Sequence, residues 1–169
     1  MESRILGVSF VIVGCSAFGF KLAADLHLEI KLLRELIDIL NYMECELNYR
    51  LTPLPQLCRT SARQSKSLRD VFIRFADEMD SQISTDTASC MNAAIHKSNN
   101  LNDSVRLLLC ELANSFGNFD LEGQLTGIDS IRQKCAKQLL ELEKDKDIRI
   151  RNYKTLGMCA GAALAILLF

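Results

Sequence analysis

Apolar residues recur at helical spacing through most of the chain. Leu22, Leu26, Ile30, Leu33, Ile37, Leu40, Met43 and Leu47 step by three and four, as one face of a long amphipathic helix does. Lys31, Arg34, Glu35, Asp38 and Asn41 fall mostly on the other face. Lys31–Glu35 and Arg34–Asp38 stand at (i, i+4), worth about 0.3 kcal/mol each. The stretch "LTPLP", Leu51 to Pro55, should stop this helix, because each proline biases the residue before it toward extended geometry. Thr52 is then expected to cap the next helix, with Pro53 at its first position and Pro55 in its first turn. Leu54 and Leu57 are expected to pack back on the core.

Leu68, Val71, Phe72, Phe75, Met79 and Ile83 predict a further helix, and Ala88, Met91 and Ile95 a shorter one over about 86–97. "SNNLND" reads as a turn rich in capping residues. Leu101, Val105, Leu108, Leu112 and Phe116 form another stripe. A last helix should start near Asp120, with Leu121, Leu125, Ile128, Ile131, Cys135, Leu139 and Leu142 on one face. Its far end, "ELEKDKDIRIRNYK", is densely charged and leads into an apolar tail. Strand alternation is absent from the sequence pattern.

The two ends differ from everything between them. "ILGVSFVIVGCSAFGF", Ile5 to Phe20, carries no charge. With Lys21 to Ala24 it makes about 20 residues, or roughly 30 Å of helix, the thickness of a hydrocarbon core. "LGMCAGAALAILLF", Leu156 to Phe169, is also uncharged. It gives only about 21 Å of helix, enough for a thinned bilayer with Tyr153 and Lys154 as anchors. Gly157, Gly161 and Ala165 recur every fourth residue, a stripe on which another membrane helix could pack. The fold class predicted is all-α: an antiparallel bundle of about five or six helices flanked by N- and C-terminal transmembrane helices. Residues 1–24 and 154–169 are the two membrane segments, and 25–153 the helical domain.

Charge orients this arrangement. Of 20 Lys and Arg residues, only Arg4 lies outside the central region. Lys21, Lys31, Arg34, Lys146, Arg149, Arg151 and Lys154 flank the apolar ends on the inner side, so the domain is expected in the cytoplasm. A net charge of −1 does not indicate a nucleic-acid surface. Seven scattered cysteines lack zinc-ligand spacing and read as small hydrophobes kept reduced. A competing reading makes Ile12-Val13-Gly14-Cys15 a lipoprotein processing site, with an exported helical binding module anchored through Cys15. Against it, the apolar run continues beyond Cys15, where a mature lipoprotein would normally turn polar.

Candidate chemistry is thin. Asp120 and Glu122 could be a carboxylate pair, but Gly117 follows a helical stripe and Asp120 precedes the next. A C-terminal cap, an N-cap and an acid in the first turn account for all three. His27 and His96 have no metal-ligand partners at useful spacing. Walker, dinucleotide and serine-hydrolase motifs are missing. No enzyme activity, cofactor or metal is expected.

Two stretches resemble a known family. "LRELIDILNYMECELNYRLTPLPQL", Leu33 to Leu57, and "FGNFDLEGQ", Phe116 to Gln124, are similar to stage III sporulation protein AB, and so is the plan of a helical domain between apolar ends. The carry-over rests on Thr52, Pro53, Leu54 and Pro55, and on Gly117, Asp120, Glu122, Gly123 and Gln124. Gln56 and Phe119 depart from that pattern, where Glu and a small polar residue are more usual. The resemblance implies a helical domain like that of the platform protein of type II secretion (its F component) and type IV pilus systems. It also implies a membrane component of the channel complex between mother cell and forespore. Its partners would be a secretion-type ATPase, the AA protein of the same set, neighbouring ring proteins, the bilayer and a second copy of itself. The partner surface is expected on Glu44, Glu46, Arg50, Asp120, Glu122 and Gln124.

Overall fold

Among the described residues the helical spacing becomes six α-helices and one short 3-10 turn. A computed structural model describes residues 2–81, 86–98, 101–117 and 120–168, with side-chain placement mostly within 20–144. In chain order the elements are α1 (Glu2–Arg50), α2 (Leu54–Ser61), a 3-10 turn (Ala62–Gln64), α3 (Arg69–Asp80), α4 (Thr87–His96), α5 (Asp103–Gly117) and α6 (Leu121–Leu168). Among the described residues there is no strand, so the protein is all-α. Ile83 and Phe119 lie outside the described residues.

α1 and α6 are the long elements, at 49 and 48 residues. The amphipathic stripe expected from Leu22 to Leu47 is therefore part of one helix that begins in the apolar end. Among the described residues, no helix is long and apolar enough to cross a membrane. The side chains of Cys15, Gly157, Gly161 and Ala165 lie outside the described residues.

The chain divides into two compact units, Met1–Ile30 with Leu140–Phe169, and Lys31–Leu139. In the first, Ala23, Leu26 and Ile30 are buried, in steps of three and four, while Phe20 and Ile148 are exposed. The second holds the main core. There α1 buries more than the single predicted stripe. Leu33, Leu40 and Met43 are fully buried as expected, but so are Leu32, Leu36 and Ile39, while Ile37 is only half-buried. The extra positions widen the expected stripe on one side of α1, while Lys31, Arg34, Asp38 and Asn41 stay exposed on the other.

The shorter helices pack in sequence order: α2 on α3, α3 on α4, α4 on α5. Their contributions are Leu57, Phe72, Phe75, Met91, Val105 and Leu112, all fully buried. Consecutive helices joined by short turns pack as neighbours in this way. Surface pairs follow the same order. Arg59 of α2 meets Asp77 and Asp80 of α3 at 2.7 and 2.6 Å, and Lys97 just past α4 meets Glu78 of α3 at 2.5 Å.

The caps show which sequence signals operate. Asp86 accepts from the N–H groups of Ala88 and Ser89 at 3.3 and 3.2 Å and caps α4. Asn102 accepts from Val105 N–H at 3.1 Å and caps α5. Asp120 accepts from Gly123 N–H at 3.0 Å and caps α6. α2 is different from expectation. Pro53 precedes its first residue and Pro55 lies in the first turn, with no side-chain cap. The Thr52 hydroxyl instead donates back to Glu46 Oε2 at 3.3 Å. Pro53 holds the N-cap position and has no side-chain acceptor, while Pro55 in the first turn has no N–H to cap, so Thr52 is left to bond Glu46. Leu57 is fully buried as expected, whereas Leu54 is only partly so.

Candidate functional site

The turn that leads into α3 is held by a side chain of α1. Glu35 Oε2 accepts from the N–H groups of Ser67 and Lys66 at 2.7 and 3.2 Å and from the Ser65 hydroxyl. Its Oε1 accepts from the Ser67 hydroxyl at 3.1 Å. Ser65 Oγ in turn accepts from Leu68 N–H at 2.8 Å. Burial would raise the Glu35 pKa, but the hydrogen bonds from Ser65 and Ser67, together with Lys31 3.7 Å away, outweigh it and hold the carboxyl below its ordinary value. The sequence pattern shows Glu35 only as the partner of Lys31. Its larger role joins residues about thirty positions apart, which no local spacing reveals.

The six residues expected on a partner surface fall into three environments. Glu44 pairs with Arg132 of α6, which also binds Asn41 of α1 at 3.2 Å, and so ties the two long helices together inside the domain. Glu46 is mostly enclosed; it accepts from the Tyr42 hydroxyl at 3.2 Å and from Thr52. These two carboxylates are taken up by the fold. They also point to different partners, as positions two apart on a helix must.

Arg50 behaves otherwise. It is 75% exposed and reaches Glu46 only at 3.9 Å. Its neighbours, which the pattern of apolar positions leaves unremarked, stand out more. Tyr49 is 84% exposed and Leu51 68% exposed. Leu51 also has φ +49°, the left-handed region, and among the described residues it is the one non-glycine residue with positive φ. That conformation costs an L-residue with a branched side chain about 1–2 kcal/mol. A hint exists in "NYRLTPLP": a helix must stop ahead of Pro53, and no Gly or Asn stands directly after Arg50 to take the left-handed position that ends it.

The third environment is the start of α6. Asp120 and Glu122 are exposed there and Gln124 is half-buried. Asp120, Glu122, Gly123, Thr126, Gly127 and Ser130 line a shallow depression of about 430 Å³. A second, of about 420 Å³, shares Gly127 and Ser130 and runs on to Ser115, Asn114, Glu111 and Lys134. Lys134 and Glu111 are paired across it at 2.6 Å. At Gly127 α6 lies close against α5: a Cβ there would lie 2.7 Å from Ser115 Oγ and closer still to Ser115 Cβ. The Asp120 carboxylate is engaged as the helix cap, the role expected for it, and removing such a cap costs about 1 kcal/mol. Gly117 is the last residue of α5.

The cysteines divide by position. Cys58, Cys90 and Cys135 are buried among apolar side chains, whereas Cys45 and Cys159 are exposed, unlike the small-hydrophobe role expected of all of them. Burial raises the thiol pKa at Cys58 and pushes that of Cys135 up to about 12, so neither is a nucleophile at neutral pH. His27 and His96 are exposed.

Comparison with known proteins now bears on this arrangement. A sequence model of the stage III sporulation protein AB family matches residues 4–169, almost the whole chain. A solved structure of a stage III sporulation protein AB (SpoIIIAB) superposes with a TM-score of 0.60 at 20% identity, over 69% of this chain and 94% of that one. At that identity the superposition speaks for the fold alone. Curated proteins give no match. By the family match, the chain belongs to the stage III sporulation protein AB family, which gives it a sporulation-associated role.

Proposed function

We propose that this protein is a non-enzymatic membrane platform in the channel complex between mother cell and forespore, with its helical domain docking a secretion-type ATPase. One observation carries this reading. α1 and α6 each run unbroken between an uncharged end and the domain that they help to build. At 1.5 Å per residue each is about 73 Å long. On this reading the two helices are the route along which displacement of the domain passes. Force applied to the domain by a nucleotide-driven partner would therefore reach both ends. The uncharged runs at 5–20 and 156–169 are the membrane anchors in this scheme, and the basic residues flanking them hold the domain on the cytoplasmic side.

Docking belongs on the charges the fold leaves accessible, Arg50, Asp120 and Glu122, more than on Glu44 and Glu46, whose carboxylates serve the fold. The test is topological and biochemical together. A reporter fused after Phe169 should be active outside the cytoplasm, and one inserted in the "SNNLND" turn active within it. The detergent-extracted chain should co-purify with the AA-type ATPase. A reporter in the turn that is active outside, with lipid on Cys15, would establish the lipoprotein reading in place of this one.

A further inference from the structure

The sign of the charge changes once near the end of α6. From Glu141 to Asp147 both signs are interleaved, with four acids and two bases. Asp147 is the last acid of the chain; after it come only Arg149, Arg151 and Lys154, and then the uncharged run from Leu156. A helix that needs charge for solubility alone mixes both signs, as Glu141 to Asp147 does. α1 keeps the same order: Lys21 is the first charge after its uncharged run, and Asp25 follows one turn later.

Helix geometry sets the switch at a defined depth. Lys154, Arg151 and Arg149 stand about 3, 7.5 and 10.5 Å along α6 from Leu156, and Asp147 about 13.5 Å. A phospholipid headgroup layer is about 5–7 Å deep, and the stems of lysine and arginine add to their reach. The three bases therefore come to phosphate height beside an apolar run, and the last acid stands clear of it. The outward face of α6 is open at this level. Ile148, Arg151, Asn152, Thr155 and Cys159 follow one another at helical spacing and are exposed. Among the described residues Arg151 has no ion-pair partner. Thr155, the last polar residue before the apolar run, donates its hydroxyl back to the Arg151 carbonyl at 2.8 Å, so it brings no unmet donor to the boundary.

We infer that Arg149, Arg151 and Lys154 bind the headgroups of anionic phospholipid and so seat α6 at a fixed depth in the membrane surface. Guanidinium groups meet phosphate oxygens through paired charge-assisted hydrogen bonds, and lysine meets them as a point charge. A zwitterionic headgroup cancels its own phosphate, so net-negative lipid is selected, by about fivefold for each base near the surface. This inference rests on the membrane anchoring proposed above and names the lipid class that the anchoring uses.

The measurement is photolabelling of the full chain reconstituted into phosphatidylcholine vesicles that contain a minor share of phosphatidylglycerol. One lipid or the other carries a photoreactive group beside its headgroup, and mass spectrometry locates the label. At equal mole fraction the phosphatidylglycerol probe should label the Ile148–Thr155 stretch at least about fivefold more than the phosphatidylcholine probe. Added salt should shrink that excess. The combined variant Arg149→Gln, Arg151→Gln, Lys154→Gln should lose the excess with its melting temperature unchanged. Lys144→Gln with Lys146→Gln, on the far side of the last acid, should keep it. Labelling of that stretch within twofold by the two probes overturns the lipid site, as does an excess that survives in the triple variant or vanishes in the double one. Anchoring is read separately, from a phosphatidylcholine probe with its reactive group deep in the acyl chain. If that probe labels the uncharged runs, a failed lipid site leaves the anchoring intact. If it labels neither run, the anchoring fails and the lipid site with it.

Discussion

At the scale of single residues, Glu35 shows how one carboxylate can organise a turn. It receives two backbone N–H groups and two hydroxyls, so nearly every donor of the Ser65–Ser67 segment ends on it. Glu35→Ala leaves those donors in a partly buried site without their acceptor, at a cost of about 1–3 kcal/mol. The pH dependence follows from the sign of its shift. The folded pKa lies below the ordinary 4.5, so the stabilisation is complete above that value and is lost as pH falls through the lower folded one. Urea midpoints of the wild-type chain should therefore drop on going from pH 7 to below 4. Glu35→Gln, which cannot titrate, should lack that part of the drop. An equal decline in both proteins would place the acid sensitivity elsewhere.

At the scale of elements, the seam between α5 and α6 depends on the absence of one carbon atom. Ser115 and position 127 approach so closely that a Cβ at 127 overlaps the Ser115 side chain at its root. Rotating Ser115 moves Oγ but not Cβ, so only separation of the helices relieves the overlap. Gly127→Ala should thus lose about 1–3 kcal/mol to overpacking. This exceeds the gain of about 1 kcal/mol that alanine brings inside a helix. Ser115→Gly in the same chain should recover most of the loss, and thermal denaturation of the three variants would show it. The seam also matters to the surface, because Gly127 is common to both depressions on this side of the domain. Widening it would change the contour that Asp120 and Glu122 present.

At the scale of the whole molecule, the core of the Lys31–Leu139 unit is shared among all its helices. Phe72 and Phe75 are fully buried, as are Leu36 and Met43 of α1, Met91 of α4 and Leu112 of α5. Such a core melts as one. Phe72→Ala should cost about 3–5 kcal/mol. It should also shift one cooperative transition rather than detach α3 alone; hydrogen exchange across the unit would rise together. Within the same unit, Glu44 and Asn41 of α1 are tied to α6 through Arg132.

The periodic spacing of apolar residues was enough to determine the all-α class and the helices of the Lys31–Leu139 unit, and Asp120 was legible as a cap beside them. The caps at Asp86, Asn102 and Asp120 are local chemistry, settled within three residues of chain. "LTPLP" likewise ended α1 by its own stereochemistry, although Thr52 turned back to Glu46 rather than forward into α2. Tertiary structure alone decided what depends on distant neighbours. It decided how wide the buried stripe of α1 is, that Glu35 closes the turn before α3 and that Glu44 is consumed by Arg132. It also decided that position 127 leaves no room for a Cβ beside Ser115 and that Leu51 is held left-handed in the open. The physical reason is range. Helix propensity, capping and proline geometry act over a few residues and are written in order along the chain. Burial, ion pairing and close approach depend on which helices meet, and that is fixed only when the core has formed.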